Sequence, residues 1–366
     1  MEFALSEEQR LLQGSVGRYL EEMSTLDAVR ETAEAEAPLS REIWKGMAEL
    51  GVAGVLVPEE HGGLGLGVLE AALIAEMTGR CTAPLPFVGT AVMAPIALVG
   101  AGSDAQKATW LPQLASGEII AGVAVAEVIG AREGAGVRFA NGCLTGSSLF
   151  VIDGPAADIF IVSDVNKALY LVDGKAKGLA RKKLTMIDLT RPVSELVFED
   201  VEAELLPEGG PEIVDAMIDA GRIMLAADTL GAGDMMLEKA VDYAKERKQF
   251  GRVIGSFQAV KHLCAEMAAE LEPCRSLVWY AAYAQGATLQ DAALPDGRLM
   301  ACHAKAHLSE VGRFVARTAT EVHGGMGFTD LLGLHYWFKR IGLDRQLLGG
   351  PERVREEAAR LQGWAA

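Results

Sequence analysis

The pattern of apolar and polar positions changes twice along the chain. Up to residue 115 apolar residues recur every three or four positions, which predicts helices, the first of them capped by Ser6. Short β-branched runs separated by Asn-Gly and Asp-Gly dipeptides follow, and they predict an antiparallel β domain over residues 116–208. From residue 209 to residue 366 a helical period returns, and long helices joined by short turns favour a bundle. Those helices are predicted at Ile213–Arg247, Ser256–Gly286 and Asp296–His323.

The composition describes a folded, acidic protein. Half of the 366 residues are hydrophobic, which excludes disorder as the overall state, and the 34 Lys and Arg against 50 Asp and Glu residues give a net charge of −16. That charge argues against nucleic acid as a partner. No apolar run reaches the roughly 18–20 residues of a membrane span, and the acidic start lacks the features of a signal peptide. The five cysteines show no CxxC spacing, which favours a reducing cytoplasm.

Two familiar ligand motifs are incomplete in this sequence. His303, His307 and Glu310 have a helical spacing that could hold a metal, but the segment lacks the Glu of HExxH and has a lysine between the histidines. We therefore predict no metal site. Gly231-Ala-Gly233 resembles half of a dinucleotide fingerprint, yet no strand precedes it and the third glycine is missing. Close helix packing is the favoured role of these glycines.

The turn between the first two long C-terminal helices carries candidate ligand-binding groups. Gly251 and Gly255 form the turn, and Ser256 is predicted to cap the next helix. Arg247 could grip a phosphate with its planar guanidinium, Phe250 could stack on a flat ring, and Gln258 could hydrogen-bond that ring. A plain interhelical turn with a solvated arginine fits the spacing equally well.

A second candidate segment, Glu321–Phe328, has adjacent glycines at the end of a predicted helix. Gly324 and Gly325 would let a ligand approach bare backbone. The spacing by itself favours a simple helix C-cap at these glycines.

Taken together and in this order, the motifs resemble the acyl-CoA dehydrogenase family over nearly the whole chain. That resemblance implies an α+β fold with an N-terminal helical domain, a middle antiparallel β domain and a C-terminal four-helix bundle. The segments that carry it are Pro58–Gly63 (PEExGG), Leu111–Glu118 (LPxLAxGE), Arg247–Gln258 (RxxFGxxIxxFQ) and Val322–Phe328 (QxxGGxGF/Y).

The resemblance implies oxidation of the Cα–Cβ bond of an acyl-CoA substrate with FAD as cofactor and an electron-transfer flavoprotein as acceptor. Members use a glutamate base at one of two positions, and here these positions are Gly221 and Gly349. Asp219 and Glu352 lie nearby in sequence, but a shift of two or three residues points a helical side chain elsewhere. We therefore expect no catalytic residue in this chain.

The middle domain also departs from the family pattern. Ala126 replaces a threonine, Phe150 a tryptophan and Ile152 a threonine at positions that contact the flavin in the family. Apolar groups thus stand where the family offers hydrogen bonds to the flavin ring.

In the family, the C-terminal motifs of one chain contact the FAD of a neighbouring chain, and this sequence retains most of those residues. Glu321 is the exception, because the family usually has glutamine there and a carboxylate fits poorly beside a pyrophosphate. The resemblance assigns FAD binding to Arg247, Phe250, Gln258, Glu321, Gly324 and Gly325.

Three hypotheses follow. The preferred one is the non-catalytic chain of a hetero-oligomeric dehydrogenase whose homologous partner supplies the flavin cradle and the base, similar to the α2β2 enzymes of bacterial steroid side-chain degradation. The second is a self-sufficient homo-oligomer with a displaced base such as Asp219. The third is a flavin-free structural or regulatory protein on the same fold.

Overall fold

The computed structural model describes residues 4–35, 39–290 and 297–365. The first part of the chain is helical, as predicted, and Ser6 forms the capping box of its first helix with Gln9. The helices are α1 (Glu7–Met23), α2 (Leu26–Glu34), α3 (Arg41–Glu49), α4 (Val68–Arg80), α5 (Ala94–Ala101) and α6 (Asp104–Ala115).

A twisted sheet follows, with the spatial order β6-β7-β3-β1-β4-β5-β8 and with β2 paired to β3. Asn141 and Gly142, with φ of 52° and 84°, form the predicted two-residue turn between β2 and β3. The strands are β1 (Ala121–Ala124), β2 (Gly136–Ala140), β3 (Cys143–Ile152), β4 (Ile159–Ser163), β5 (Leu169–Asp173), β6 (Leu179–Lys183), β7 (Val193–Glu202) and β8 (Glu204–Leu205).

The prediction of a purely antiparallel sheet is wrong at one pair of strands. β1 and β4 run parallel, with Ala121 opposite Ile159. β3 pairs antiparallel with one side of β1, and the turn that begins at Asp153 carries the chain to the other side. Since β4 reverses the direction of β3, it must run parallel to β1.

The two faces of the sheet enter different cores. Side chains such as Val123, Ile161 and Leu171 pack against the helices, whereas alternate positions such as Phe160 and Leu196 fill a second core within the sheet. The alternation follows from the two-residue period of a strand, and it fixes the sheet against the helical part of the chain.

Five helices complete the described chain, and four of them, α7 to α10, pack as a bundle with α11 against α9. No helix within residues 4–35, 39–290 and 297–365 is long and apolar enough to cross a membrane. The helices are α7 (Pro211–Glu246), α8 (Gln258–Gln290), α9 (Gly297–His323), α10 (Leu334–Gln346) and α11 (Pro351–Leu361), and a hairpin of β9 (Lys248–Gln249) and β10 (Arg252–Val253) joins α7 to α8.

Two details of these helices differ from the sequence expectation. Ser256 does not cap α8, because the helix begins two residues later and the Ser256 hydroxyl donates to the carbonyl of Val253 at 2.7 Å. The extended backbone of Phe257 separates the serine from the helix. Asp296, the predicted start of α9, lies outside the described residues. The predicted boundaries at residues 115 and 208 fall at or between element ends, and the division into three domains stays a prediction.

Glycines bring α4 and α7 into backbone contact. A Cβ atom added to Gly231 would lie 1.8 Å from the carbonyl oxygen of Glu76, and one added to Gly79 would lie 1.9 Å from the carbonyl oxygen of Asp228. No side chain fits in this space, so the interpretation of Gly231 as a packing residue is confirmed.

A buried group of charges, the Asp228 cluster, lies beside that contact and consists of Thr78, Arg191, Asp228, Arg340 and Asp344. The Asp228 carboxylate accepts hydrogen bonds from Arg340 Nε at 2.9 Å, Arg191 Nη2 at 2.8 Å and Thr78 Oγ1 at 2.9 Å. Burial would raise the pKa of Asp228, but Arg191 and Arg340 hold that pKa well below its usual range. The cluster therefore joins α4, α7, α10 and the segment that precedes β7.

Candidate functional site

The two candidate ligand-binding segments lie at the same end of the bundle. The rings of Tyr243, near the end of α7, and His323, the last residue of α9, stack with centroids 4.6 Å apart. Arg247 directly follows α7 and Gly324 directly follows α9. The fold thus brings together residues that are more than 70 positions apart in sequence.

The β9–β10 hairpin presents Phe250 to solvent. Phe250 is 92% exposed and has a φ of 51°, a left-handed conformation that is costly for a bulky residue. Beside it, the Arg252 guanidinium lies 3.9 Å from the ring centroid of Phe257. An exposed aromatic ring held in a strained turn indicates a contact surface rather than a packing role.

The polar groups at this end are free to meet a ligand. Arg247 is exposed, and its guanidinium has no hydrogen-bond or ion-pair partner among the described residues. Its backbone is engaged, because the N–H donates to the Tyr243 carbonyl at 2.8 Å and the carbonyl accepts from the N–H of Ile254 at 2.8 Å. Gln258 and Glu321 are exposed as well. Gly324 follows the last residue of α9 and has a φ of 58°, the left-handed conformation that is common just after a helix end, as the C-cap interpretation predicts. Both Gly324 and Gly325 have open space where a Cβ would lie.

These groups fit one part of FAD. A free guanidinium and bare glycine backbone suit a pyrophosphate, and an exposed ring beside an amide suits a flat heterocycle. The carboxylates of Glu321 and of Glu246, the last residue of α7, would repel a phosphate at this end.

The positions that correspond to a catalytic base also meet in the structure. A Cβ on Gly221, in α7, would lie 2.5 Å from Leu348 Cδ1, and a Cβ on Gly349 would lie 3.7 Å from Arg222 Nη2. Arg222 is fully buried and donates from Nε to the carbonyl of Leu348 at 3.0 Å. The fold therefore brings both base positions to Leu348 and Arg222, and neither position has a carboxylate.

Asp219 lines a cavity of about 600 Å³ that sequence analysis did not identify. The cavity lies between residues 128–130, which precede β2, and the helices α7, α9 and α11. Asp219 is 3% exposed, and burial raises its pKa to about 7 although Arg222 lies 3.4 Å away. Glu352, the carboxylate that lies near Gly349 in sequence, is exposed and pairs with Arg345 at 3.1 Å.

Most of the charges around that cavity are paired. Asp215 binds Lys167 at 2.5 Å and Arg298 at 2.8 Å. Glu357 binds Arg298 at 2.7 Å and Arg222 at 2.8 Å, and although burial raises its pKa, the two guanidinium groups lower it to about 2. Such walls are poorly suited to a hydrocarbon chain. No local sequence pattern marks the cavity, because its charges come from segments far apart in the chain.

Three positions of the middle domain that the resemblance aligns with flavin contacts, residues 126, 150 and 152, have apolar side chains. Ala126 and Ile152 are buried, and Phe150 is 39% exposed at a bulge in β3. Glu127, next to Ala126, accepts from the Ser148 hydroxyl at 2.7 Å and is therefore engaged within the sheet. These three side chains offer no hydrogen bond to the polar edge of a flavin ring.

A buried lysine lies between the two histidines considered for a metal site. Lys305, between His303 and His307, is buried and donates to the backbone carbonyl of Asp344. Within the part of the chain that the structure describes, no group of three or more His, Cys, Asp or Glu side chains is arranged to hold a metal ion.

Comparison with known proteins finds matching family models at both ends of the chain and relatives along nearly its whole length. Residues 6–118 match the model of the acyl-CoA dehydrogenase N-terminal domain, and residues 208–361 match that of the acyl-CoA dehydrogenase C-terminal domain. The acyl-CoA dehydrogenase IpdE2 of Mycolicibacterium smegmatis is 30% identical over 98% of this chain and 99% of its own length.

Two solved structures are similar along their whole length. The ChsE4-ChsE5 complex from Mycobacterium tuberculosis has a chain that is 27% identical, with a TM-score of 0.90 and complete coverage of both chains. A variant of the Tcur3481-Tcur3483 steroid ACAD is 28% identical, with a TM-score of 0.87 and 98% coverage of each chain.

Proposed function

Because the chain belongs to the acyl-CoA dehydrogenase family, we propose that it is the non-catalytic subunit of a hetero-oligomeric acyl-CoA dehydrogenase. One observation carries the proposal: the fold brings the two base positions together, and both are glycine. A general base must lie within hydrogen-bond reach of the proton that it removes. Neither Gly221 nor Gly349 can supply one, so the base comes from a homologous partner chain.

The contribution of this chain is one part of an FAD site. Arg247 would pair with the pyrophosphate, Phe250 and Gln258 would contact a ring, and Gly324 and Gly325 would border the phosphate. When bound, FAD accepts the hydride from the substrate. Ala126, Phe150 and Ile152 leave the polar edge of a flavin ring without partners, and each buried polar group left unsatisfied costs about 1–3 kcal/mol. The ring is therefore held by the partner.

The relatives support the partner and the substrate class. ChsE4-ChsE5 is described as a complex, and Tcur3481-Tcur3483 as a steroid dehydrogenase. We accordingly propose a bulky CoA thioester, such as a steroid side chain, as substrate and an electron-transfer flavoprotein as acceptor. All five cysteines are free thiols, which supports a location in the cytoplasm.

A second candidate function rests on Asp219. This carboxylate lines the cavity beside residues 128–130, and a pKa of about 7 suits a general base at neutral pH. A homo-oligomer that uses Asp219 as a displaced base would then need no partner. The charged walls of the cavity and the contact of Asp219 with Arg222 count against this function.

The experiment that separates the functions is co-expression with a homologous chain that retains the family's flavin-facing residues and glutamate. We expect a hetero-oligomer with one FAD per pair of chains, measured by native mass spectrometry and flavin absorbance. One FAD per chain in a homo-oligomer would contradict the proposal and favour the displaced base. A colourless chain that binds neither partner nor FAD would indicate a structural or regulatory protein.

Replacing Arg247 by alanine is expected to weaken FAD retention of the assembled complex about ten- to a hundredfold, because a charge-assisted hydrogen bond to phosphate is lost. Flavin released on serial dilution measures the effect. Lys245→Ala is the matched control, since Lys245 is also an exposed cation near the end of α7 but pairs with Asp242 at 3.0 Å. Equal flavin retention in the two variants would contradict the assignment and indicate that Arg247 is a solvated surface residue.

A further inference from the structure

Arg252 lies in strand β10, at the end of the bundle where the candidate FAD-binding groups meet. We propose that it is a second arginine for the pyrophosphate of FAD, held in position by the ring of Phe257. Arg252 occupies a position that the motif RxxFGxxIxxFQ leaves open, so the sequence resemblance does not assign it. The proposal rests on the function proposed above and adds a residue to its cofactor site.

A two-residue turn sets the register of the β9–β10 hairpin. Phe250 and Gly251 have φ of 51° and 78°, and positive values at both central positions are typical of a type I′ turn. The turn places Gln249 directly opposite Arg252. The side chains of Gln249 and Arg252 therefore lie on the same face of the hairpin.

Arg247 shares that face. It precedes Gln249 by two positions, and its carbonyl accepts from the N–H of Ile254 at 2.8 Å, which continues the antiparallel pairing. Because side chains two positions apart in a strand lie on the same side, Arg247 and Arg252 are diagonal neighbours, which are about 7–8 Å apart in an antiparallel pair. Two guanidinium groups on one face suit an anion that has two phosphate groups.

The ring of Phe257 holds the Arg252 side chain. The guanidinium lies 3.9 Å from the ring centroid, which is within the range of a cation–π contact. Stacking uses the flat face of the guanidinium and leaves the N–H groups in its plane free to donate. Arg252 is exposed, and its guanidinium has no hydrogen bond or ion pair within the part of the chain that the structure describes. Its donors are thus available and already oriented, which lowers the cost of binding an anion.

The charge of the surrounding segment favours an anionic ligand. Residues 247–265 contain four Lys and Arg residues and no Asp or Glu, although the whole chain has a net charge of −16. Glu246 and Glu321 are exposed carboxylates at this end of the bundle, and they oppose a phosphate. A second arginine beside Arg247 offsets that repulsion.

The test measures the dissociation constant of FAD, by flavin fluorescence, for the hetero-oligomer formed with the homologous partner. Arg252→Met should weaken FAD binding about tenfold at a salt concentration of about 50 mM, because a charge-assisted hydrogen bond is lost. At about 500 mM salt the loss should fall to about threefold, because salt screens exposed charges. Arg252→Lys keeps the charge and should retain most of the affinity. An equal loss at both salt concentrations would mean that Arg252 only shapes the turn, and it would overturn the proposal.

Lys248→Met is the matched control, because Lys248 is an exposed cation of the same hairpin and lies on the opposite face. We expect it to change FAD affinity less than about twofold. An effect as large as that of Arg252→Met would indicate a general effect of charge and reject the specific contact. Unchanged FAD affinity in Arg252→Met together with loss of the partner chain, measured by native mass spectrometry, would also reject it.

Arg247→Ala separates this inference from the proposed function in the same assay. If Arg247→Ala weakens FAD binding and Arg252→Met does not, the proposed function stands and the role of Arg252 is wrong. If neither variant weakens FAD binding, the assignment of the FAD site to this end of the bundle is itself wrong.

Discussion

The chain purified without a partner is expected to oxidise acyl-CoA thioesters at a rate about 10²- to 10⁴-fold below that of the hetero-oligomer, which is the usual cost of losing a positioned general base. The reason is the absence of a carboxylate at Gly221 and Gly349, where the fold brings the two base positions together. Reduction of an artificial electron acceptor, with FAD added in excess, measures the rate for both preparations.

The same assay tests Asp219. Asp219→Asn should leave the residual rate of the isolated chain unchanged, because the carboxylate of Asp219 contacts Arg222 in a cavity with charged walls. Glu352→Gln serves as the control, since Glu352 is exposed and paired with Arg345. Rapid turnover by the homogeneous chain that is lost only in Asp219→Asn would establish the displaced base and reject the divided site.

Replacing Asp228 by alanine is expected to lower the free energy of unfolding by about 3–5 kcal/mol, because removal of one partner leaves buried charges uncompensated. Arg191 and Arg340 are 4% and 1% exposed, and both depend on this carboxylate. Urea unfolding followed by circular dichroism measures the loss, provided that the slope with denaturant stays constant.

An exposed ion pair gives the comparison for that measurement. Asp242→Ala removes the partner of Lys245, whose side chain is 68% exposed, and should change the free energy of unfolding by at most about 1 kcal/mol. If Asp228→Ala were as mild as Asp242→Ala, the Asp228 cluster would not hold the helices and the sheet together.

Local periodicity was sufficient to predict the main elements. The helix cap at Ser6, the turn at Asn141-Gly142 and the packing role of Gly231 depend on residues close in sequence or on backbone conformation, and the structure confirms all three. The parallel pairing of β1 with β4 could not be predicted in this way, because it depends on which side of β1 the chain crosses after β3. The prediction that Ser256 caps α8 was wrong, because a serine before a helical pattern does not show where the preceding turn ends.

The candidate site was predictable only in part. Arg247 and Gly324 belong to recognisable motifs, and the stacking of Tyr243 on His323 explains why those motifs meet. The cavity beside Asp219 carries no such signal. Its properties come from burial and from partners on distant segments, which a linear pattern of residue types does not record.

The contact between α4 and α7 limits how this chain can be cut. At Gly79 and Gly231 the two backbones touch with no side chain between them. The contacting surface of each helix therefore fits the other helix and is not suited to exposure to water. A fragment that starts near residue 209 would retain all of α7 but expose this groove and leave the Asp228 carboxylate without Thr78. The bundle therefore depends on the N-terminal helices for its packing. Those helices can be replaced only by a segment that has the same glycine and threonine, Gly79 and Thr78.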